Sequence, residues 1–126
     1  MCCIGIDIGS ISVKVALVGS SGEVAQTRYC RSHGQPIATL RRMLQDLLIH
    51  VPNTQITGMA ATGSGGKLVA ELFNCHYTNE AVAQSTATRT FHPDIRTIIE
   101  IGGEDAKLIL LGPANRNSRL HLQDVA

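Results

Sequence analysis

Ile4, Ile6 and Ile8 alternate with Gly5, Asp7 and Gly9, the period of two that predicts a strand over residues 3–7 with one packed face. Gly9-Ser10 then turns the chain, and residues 12–18 form a β-branched partner strand. Ser20-Ser21-Gly22 makes a second turn, and residues 24–30 add a third strand, so the opening is an antiparallel meander. The period changes after Pro36, a residue suited to a first helical turn. Ile37, Leu40, Leu44, Leu47 and Leu48 recur at helical spacing and predict an amphipathic helix over 36–48, stopped by His50-Val51-Pro52-Asn53.

A short strand over 55–61 follows, then the glycine-rich Thr62-Gly63-Ser64-Gly65-Gly66-Lys67. Residues 67–73 are expected to be helical with Leu68, Val69 and Leu72 facing inwards. Residues 79–91 predict a further helix, with Asn79 as N-cap and Glu80 in its first turn, broken by His92-Pro93-Asp94. Strands over 97–101 and 107–111 flank Gly102-Gly103-Glu104-Asp105, and a loop over 112–118 leads to a last strand at 120–123.

Two of these hairpins are copies of one pattern. Residues 6–17 read Ile-Asp-Ile-Gly-Ser-Ile-Ser-Val-Lys-Val-Ala-Leu, and residues 99–110 read Ile-Glu-Ile-Gly-Gly-Glu-Asp-Ala-Lys-Leu-Ile-Leu. They align without a gap: each is strand, glycine turn, strand, with an acid before the turn and a lysine after it. Hairpins share glycine turns and β-branched strands for ordinary reasons. A carboxylate on an otherwise apolar strand, twice in the same place, is not ordinary, because burying it unpaired is costly. The charge points to a ligand or ion. The second copy is followed by little chain, so the sequence is expected to divide into a first lobe over 1–95 and the truncated start of a second over 96–126.

The composition agrees with a globular domain and narrows its partners. The 126 residues are 44% hydrophobic and 17% charged, with a formal net charge of +1, so no field of one sign favours nucleic acid or an anionic membrane surface. Aromatic residues are 3% of the chain, too few for base-stacking platforms. Asp7 interrupts the apolar start, unlike a signal peptide, and no stretch approaches the about 20 apolar residues that span a bilayer. Cys2, Cys3, Cys30 and Cys75 have neither zinc nor redox spacing, which suits reduced thiols in a cytoplasmic protein.

The glycine turns suit a polyphosphate. Gly9-Ser10 and Gly102-Gly103 let backbone N–H groups approach phosphate oxygens, while Ser10 and Ser12 add hydroxyls and Lys14 a positive charge. Asp7, Glu100 and Asp105 are hard oxygen groups able to hold Mg²⁺ through its waters when phosphates complete the shell. Two facing hairpins would clamp the polyphosphate and position an attacking water or acceptor. The segment Gly63–Lys67 fails the commoner phosphate motifs: a Walker A loop needs Gly where Ala61 stands and Ser or Thr at Leu68, and a dinucleotide fingerprint needs Gly there. It is either a flexible strand-to-helix turn or a helix N-terminus facing the same phosphates.

Ile4-Gly5-Ile6-Asp7-Ile8-Gly9-Ser10 resembles the first phosphate motif of the actin, sugar-kinase and heat-shock chaperone (ASKHA) superfamily. Ala61-Thr62-Gly63-Ser64-Gly65, Asn79-Glu80, and the run from His92 to Lys107 resemble the activator ATPases of 2-hydroxyacyl-CoA dehydratases and benzoyl-CoA reductases. This resemblance implies an α/β, RNase H-like ATPase lobe, with a mixed sheet of meander plus parallel strand flanked by helices. It implies ATP and Mg²⁺ as ligands, Asp7, Glu100 and Asp105 as catalytic residues, and Asp7 and Glu100 as Mg²⁺ holders. Gly9, Ser10, Ser12, Lys14, Gly63, Gly65, Gly102, Gly103 and Glu104 would bind nucleotide.

The resemblance further implies a homodimer, or a dimer of related subunits, that bridges one [4Fe-4S] cluster and drives an electron into an acyl-CoA dehydratase or reductase. Here the cluster-ligating cysteines are expected beyond Ala126, in a longer natural chain. The chain departs from the family in having Glu100 where Asp is usual, Glu104 where Gln is usual, and Gln84 where His is frequent. Alone, such a fragment is expected to bind Mg-ATP in the millimolar range and to be a poor enzyme. A small-molecule kinase of the same superfamily fits the hairpins equally well. A non-catalytic module, dimerising through open sheet edges, is the remaining alternative.

Overall fold

A computed structural model describes residues 1–113 and 122–125 of the chain. The contacts form two compact units, Met1–Thr78 and Asn79–Ala126.

The first unit holds a five-stranded sheet in the order β3-β2-β1-β4-β5, made of β1 (Cys2–Ile8), β2 (Ser12–Gly19), β3 (Val24–Arg31), β4 (Ile56–Thr62) and β5 (His76–Tyr77). The meander β1–β2–β3 is antiparallel, and β4 joins the other side of β1 in parallel. This is the mixed sheet expected from the sequence. Helix α1 (Pro36–Leu48) is the crossover that makes the parallel pairing possible, and α2 (Gly66–Phe73) follows β4. The sequence reading did not include β5 or the 3-10 turn at Asn53–Gln55; two residues are too short to show a period.

The period of two sorts β1 into faces. Ile4, Ile6 and Ile8 lie opposite Leu17, Val15 and Val13 of β2, and all six are buried. Leu40, Met43, Leu44 and Leu47 of α1 join the same cluster, each worth about 1.5–3 kcal/mol of burial. The opposite face of β1 carries Gly5 and Asp7. In register with Asp7 stand Lys14 on β2 and Thr62 on β4.

One orientation differs from expectation. In α2 the buried residues are Gly66, Val69 and Ala70, whereas Leu68 is 53% exposed and Leu72 60% exposed. The small residues decide it: a side chain on Gly66 would press on the Tyr77 ring at 3.1 Å, so the helix approaches β5 on its glycine–alanine face. Leu68 and Leu72, four residues apart, are then carried together to the outside.

The second unit consists of α3 (Glu80–Phe91) and an antiparallel sheet of β6 (Thr97–Ile101), β7 (Ala106–Leu111) and β8 (Leu122–Val125), in that order. Asn79 caps α3 as anticipated, its side-chain oxygen accepting the Ala81 N–H at 2.8 Å. Ala81 packs with Ile109, Leu111 and Ile98. The other face of β6 turns Ile99 and Ile101 outwards, 71% and 82% exposed. The strand expected at 120–123 shares Leu122 and Gln123 with β8; residues 120 and 121, and most of the loop expected at 112–118, lie outside the described residues.

The burial pattern sets a contrast for denaturant unfolding of the chain. Leu40→Ala should cost about 2–5 kcal/mol, because it empties a core position. Leu68→Ala should stay within about 0.5 kcal/mol, which the inward orientation would not allow.

Candidate functional site

At the carboxyl end of β1 two glycine segments come together. The first is the turn that closes the β1–β2 hairpin, where the Gly9 N–H donates to the Ser12 carbonyl at 2.9 Å. The second is the loop between β4 and α2. Because β4 runs parallel to β1, both strands end on the same side, and the loop leaves β4 directly beside Asp7. The Gly65 N–H donates to the Ile8 carbonyl at 3.1 Å, and the Ser64 hydroxyl donates to the same oxygen at 3.3 Å.

Glycine is required in this loop for stated reasons. Gly63 has φ +93°, and a Cβ there would lie 2.3 Å from the Ile8 carbonyl oxygen and 2.6 Å from Asp7 Oδ1. A Cβ on Gly65 would sit 2.5 Å from Cγ2 of Ile8. The loop is therefore pressed against the hairpin that carries Asp7, with α2 starting just beyond it at Gly66. Gly63 and Gly65 had two readings in the sequence, and the contacts place them beside Asp7 and Gly9, in one cluster.

The charge in this cluster is balanced. Lys14 Nζ donates to Asp7 Oδ2 at 3.0 Å, as their cross-strand register dictates. The pair is partly exposed, so its lysine can exchange one oxyanion for another at little cost. Ser10 is exposed at the turn, while Ser12 is buried, so of the two hydroxyls only that of Ser10 stands open to solvent. Thr62, the parallel-strand partner of Asp7, carries a buried hydroxyl without a hydrogen-bond partner among the described residues. In the sequence Thr62 stands only as a member of the glycine-rich segment, with no role assigned to its hydroxyl.

The second hairpin repeats the backbone but not the pairing. Glu100 lies opposite Lys107, as Asp7 lies opposite Lys14. The Gly102 N–H closes the turn on the Asp105 carbonyl at 2.8 Å, matching Gly9 on Ser12. Lys107, however, donates to Glu80 at 2.7 Å and approaches Asp105 at 3.6 Å. The hydrogen bond that Lys107 donates to Glu80 raises the pKa of its ammonium above the usual lysine range, with the charges of Glu80, Asp105 and Glu100 adding to it. Oε2 of Glu100 is buried and has no hydrogen-bond partner among the described residues. Gly103, Glu104 and Asp105 are exposed. In the sequence Glu80 stands as a first-turn residue and as part of the Asn79-Glu80 resemblance, with no partner assigned; that partner is 27 positions away and no local spacing reveals it.

The cysteines stay apart from this chemistry. All four are free thiols, and burial pushes the Cys75 thiol up, which keeps it protonated. Among the described residues no group of three or more His, Cys, Asp or Glu is placed to hold a metal ion, and no helix is long and apolar enough to cross a membrane.

No protein-family model matches the chain, and no curated protein matches it. Solved structures do. The (R)-2-hydroxyglutaryl-CoA dehydratase component A of Acidaminococcus fermentans aligns with 87% of this chain at 23% identity and a TM-score of 0.77. The activator of the 2-hydroxyisocaproyl-CoA dehydratase from Clostridium difficile, solved with bound ADPNP, aligns with 98% of it at 25% identity and a TM-score of 0.76. The chain has the fold of the dehydratase activators. It spans less than half of their length, 42% of the first and 46% of the second. A ROK family protein of Streptococcus pneumoniae TIGR4, in complex with sucrose, aligns with 96% of the chain and 48% of its own length, at 20% identity and a TM-score of 0.52. At this lower similarity the fold is shared with the ROK protein as well.

The glycine cradle makes a direct test. Gly63→Ala should lose about 1–3 kcal/mol of stability, since its Cβ meets backbone at a positive φ. Gly5→Ala, where nothing lies within 4 Å, should be tolerated. Equal effects of the two in thermal melts would contradict the packing of the loop on β1.

Proposed function

We propose that this chain is the ATP-binding front portion of a dehydratase-activator ATPase. The observation that carries the reading is the joining of Gly9-Ser10 and Gly63–Gly65 around Asp7 and Lys14, in a fold shared with an activator solved with ADPNP. The N–H groups of Gly9, Gly65 and Gly66 are taken by carbonyls of the turns, so the phosphate donors would be the backbone N–H groups of Ser10 and Ser64 and those just inside α2. Lys14 would leave Asp7 for a phosphate, and the released Asp7 carboxylate would turn to Mg²⁺.

In the second hairpin the buried, unpartnered Oε2 of Glu100 fits a hydrated cation, and Gly102-Gly103 fits the close approach of a phosphate. Asp105 and Glu104, both exposed at the turn, would orient the attacking water or the cation's waters. Mg²⁺ keeps several waters and takes one or two carboxylates plus phosphates, and Asp7 and Glu100 would be those carboxylates. When bound, it would neutralise phosphate charge for hydrolysis.

The division into a first lobe over 1–95 and a second beginning at 96 rests on the hairpin repeat. Iron–sulfur chemistry, homodimerisation and delivery of an electron to an acyl-CoA dehydratase or benzoyl-CoA reductase would belong to the longer parent, in the cytoplasm. The repeat and the activator fold support that parentage; none of Cys2, Cys3, Cys30 or Cys75 is given a cluster-binding role. The kinase reading is the second choice, favoured by the sugar-bound ROK neighbour.

Two measurements test the proposal, and the second separates the two readings. Lys14→Met should weaken Mg-ATP binding to the chain about ten- to hundred-fold, read by calorimetry or NMR titration, because a charge-assisted phosphate contact is worth about 1.5–3 kcal/mol. An unchanged affinity would remove Lys14 from the site. On the parent protein purified without oxygen, iron and a visible absorption bleached by reductant are expected. A colourless, iron-free protein that consumes ATP would favour the kinase.

A further inference from the structure

The two hairpins share strands, turn and register, yet differ in where the lysine goes. Lys14 takes its cross-strand acid, Asp7, at 3.0 Å. Lys107 has the same choice in Glu100 and instead takes Glu80 from the first turn of α3, at 2.7 Å. The consequence falls on Glu100, whose Oε2 stays buried and without a hydrogen-bond partner among the described residues.

We propose that Glu80 is a positioning residue: by engaging Lys107 it keeps that ammonium off Glu100, and so leaves the Glu100 carboxylate free to hold a divalent cation. This inference rests on the proposed nucleotide reading only for what the cation serves. Its geometry comes from the α3–β7 ion pair alone.

Several features support it. Asn79 fixes the start of α3 by its cap, so Glu80 leaves the helix from a fixed backbone position. Ala81, the next residue, is buried with Ile109 and Leu111, which ties that first turn to β7. The Glu80–Lys107 pair is part-buried, where an ion pair is screened less than on the surface. Lys107 lies 2.7 Å from Glu80 and 3.6 Å from Asp105, and the hydrogen bond to Glu80 is the first cause of its raised pKa, ahead of the charges of Asp105 and Glu100. Without Glu80, the nearest carboxylates left for Lys107 are Asp105, at 3.6 Å, and its register partner Glu100. An ammonium on Glu100 would repel a cation that an unneutralised carboxylate attracts. The first hairpin needs no such device, because Lys14 is partly exposed and can move to a phosphate.

The test uses the full chain and Mn²⁺ alone as the probe, with bound and free ion distinguished by electron paramagnetic resonance. Glu80→Gln is expected to weaken Mn²⁺ binding about ten-fold, the scale of about 1.4 kcal/mol. The double variant Glu80→Gln/Lys107→Met should restore it, since no lysine remains to neutralise Glu100. A merely structural role for Glu80 predicts no such rescue. In a crystal structure of the Glu80→Gln variant, Lys107 Nζ is expected within hydrogen-bond distance of Glu100.

Unchanged Mn²⁺ affinity in Glu80→Gln, loss without rescue in the double variant, or no Mn²⁺ binding by the parent chain would each overturn the inference. So would a variant structure in which Lys107 avoids Glu100. The nucleotide reading is tested separately at the first hairpin, by the Lys14→Met titration. It can fail while Mn²⁺ behaves as expected here, or stand while the present inference falls.

Discussion

The carbonyl oxygen of Ile8 is the point on which the first unit's site depends. It accepts both the Gly65 N–H and the Ser64 hydroxyl, and it lies where any side chain on Gly63 would have to be. One strand end is thereby joined to two glycine segments, its own turn and the loop after its parallel neighbour. The parallel pairing of β1 with β4 makes this possible, because only parallel strands deliver two loops to the same edge. The core serves that pairing: Ile4, Ile6 and Ile8 face α1 and the β2 valines, which leaves Asp7 on the opposite face beside Lys14 and Thr62.

Charge is handled differently at the two copies of the hairpin. At the first, acid and lysine neutralise each other in a partly exposed pair that a polyphosphate can divide. At the second, a helix-borne acid takes the lysine, and Oε2 of the strand-borne acid has no hydrogen-bond partner among the described residues. A buried carboxylate oxygen with no partner is costly in a resting fold. Its retention next to a glycine turn agrees with a role in holding something cationic. The repeated hairpin thus carries two unlike charge arrangements on one local pattern.

Much of this was legible in the sequence, and the parts that were not have a common cause. The strand of Ile4–Ile8, the helix at Pro36–Leu48, the Asn79 cap and both glycine turns are local patterns, and each forms within a residue or so of where spacing puts it. The hairpin repeat and the activator resemblance also pointed to the fold that the solved neighbours share. The face of α2 was not legible. Leu68 and Leu72 have the hydropathy of core residues, but packing of Gly66 and Ala70 against β4 and β5 depends on a two-residue strand invisible to periodicity. The role of Glu80 was hidden for the same reason, since its partner lies across the unit. Thr62 shows it again: an ordinary strand threonine acquires meaning only from its register with Asp7.

The central claim is that the two glycine segments around Asp7 form one phosphate-binding surface. The measurement that tests it most directly is an NMR titration of the isotope-labelled chain with Mg-ADPNP at millimolar concentration, followed at backbone amides. The account predicts saturable shifts at Gly9, Ser10, Ser64 and Gly65 together, with a single dissociation constant, while amides of β3 stay still. Saturable binding that moves the hairpin turn and leaves Ser64 and Gly65 unmoved, or no binding at all, would contradict it.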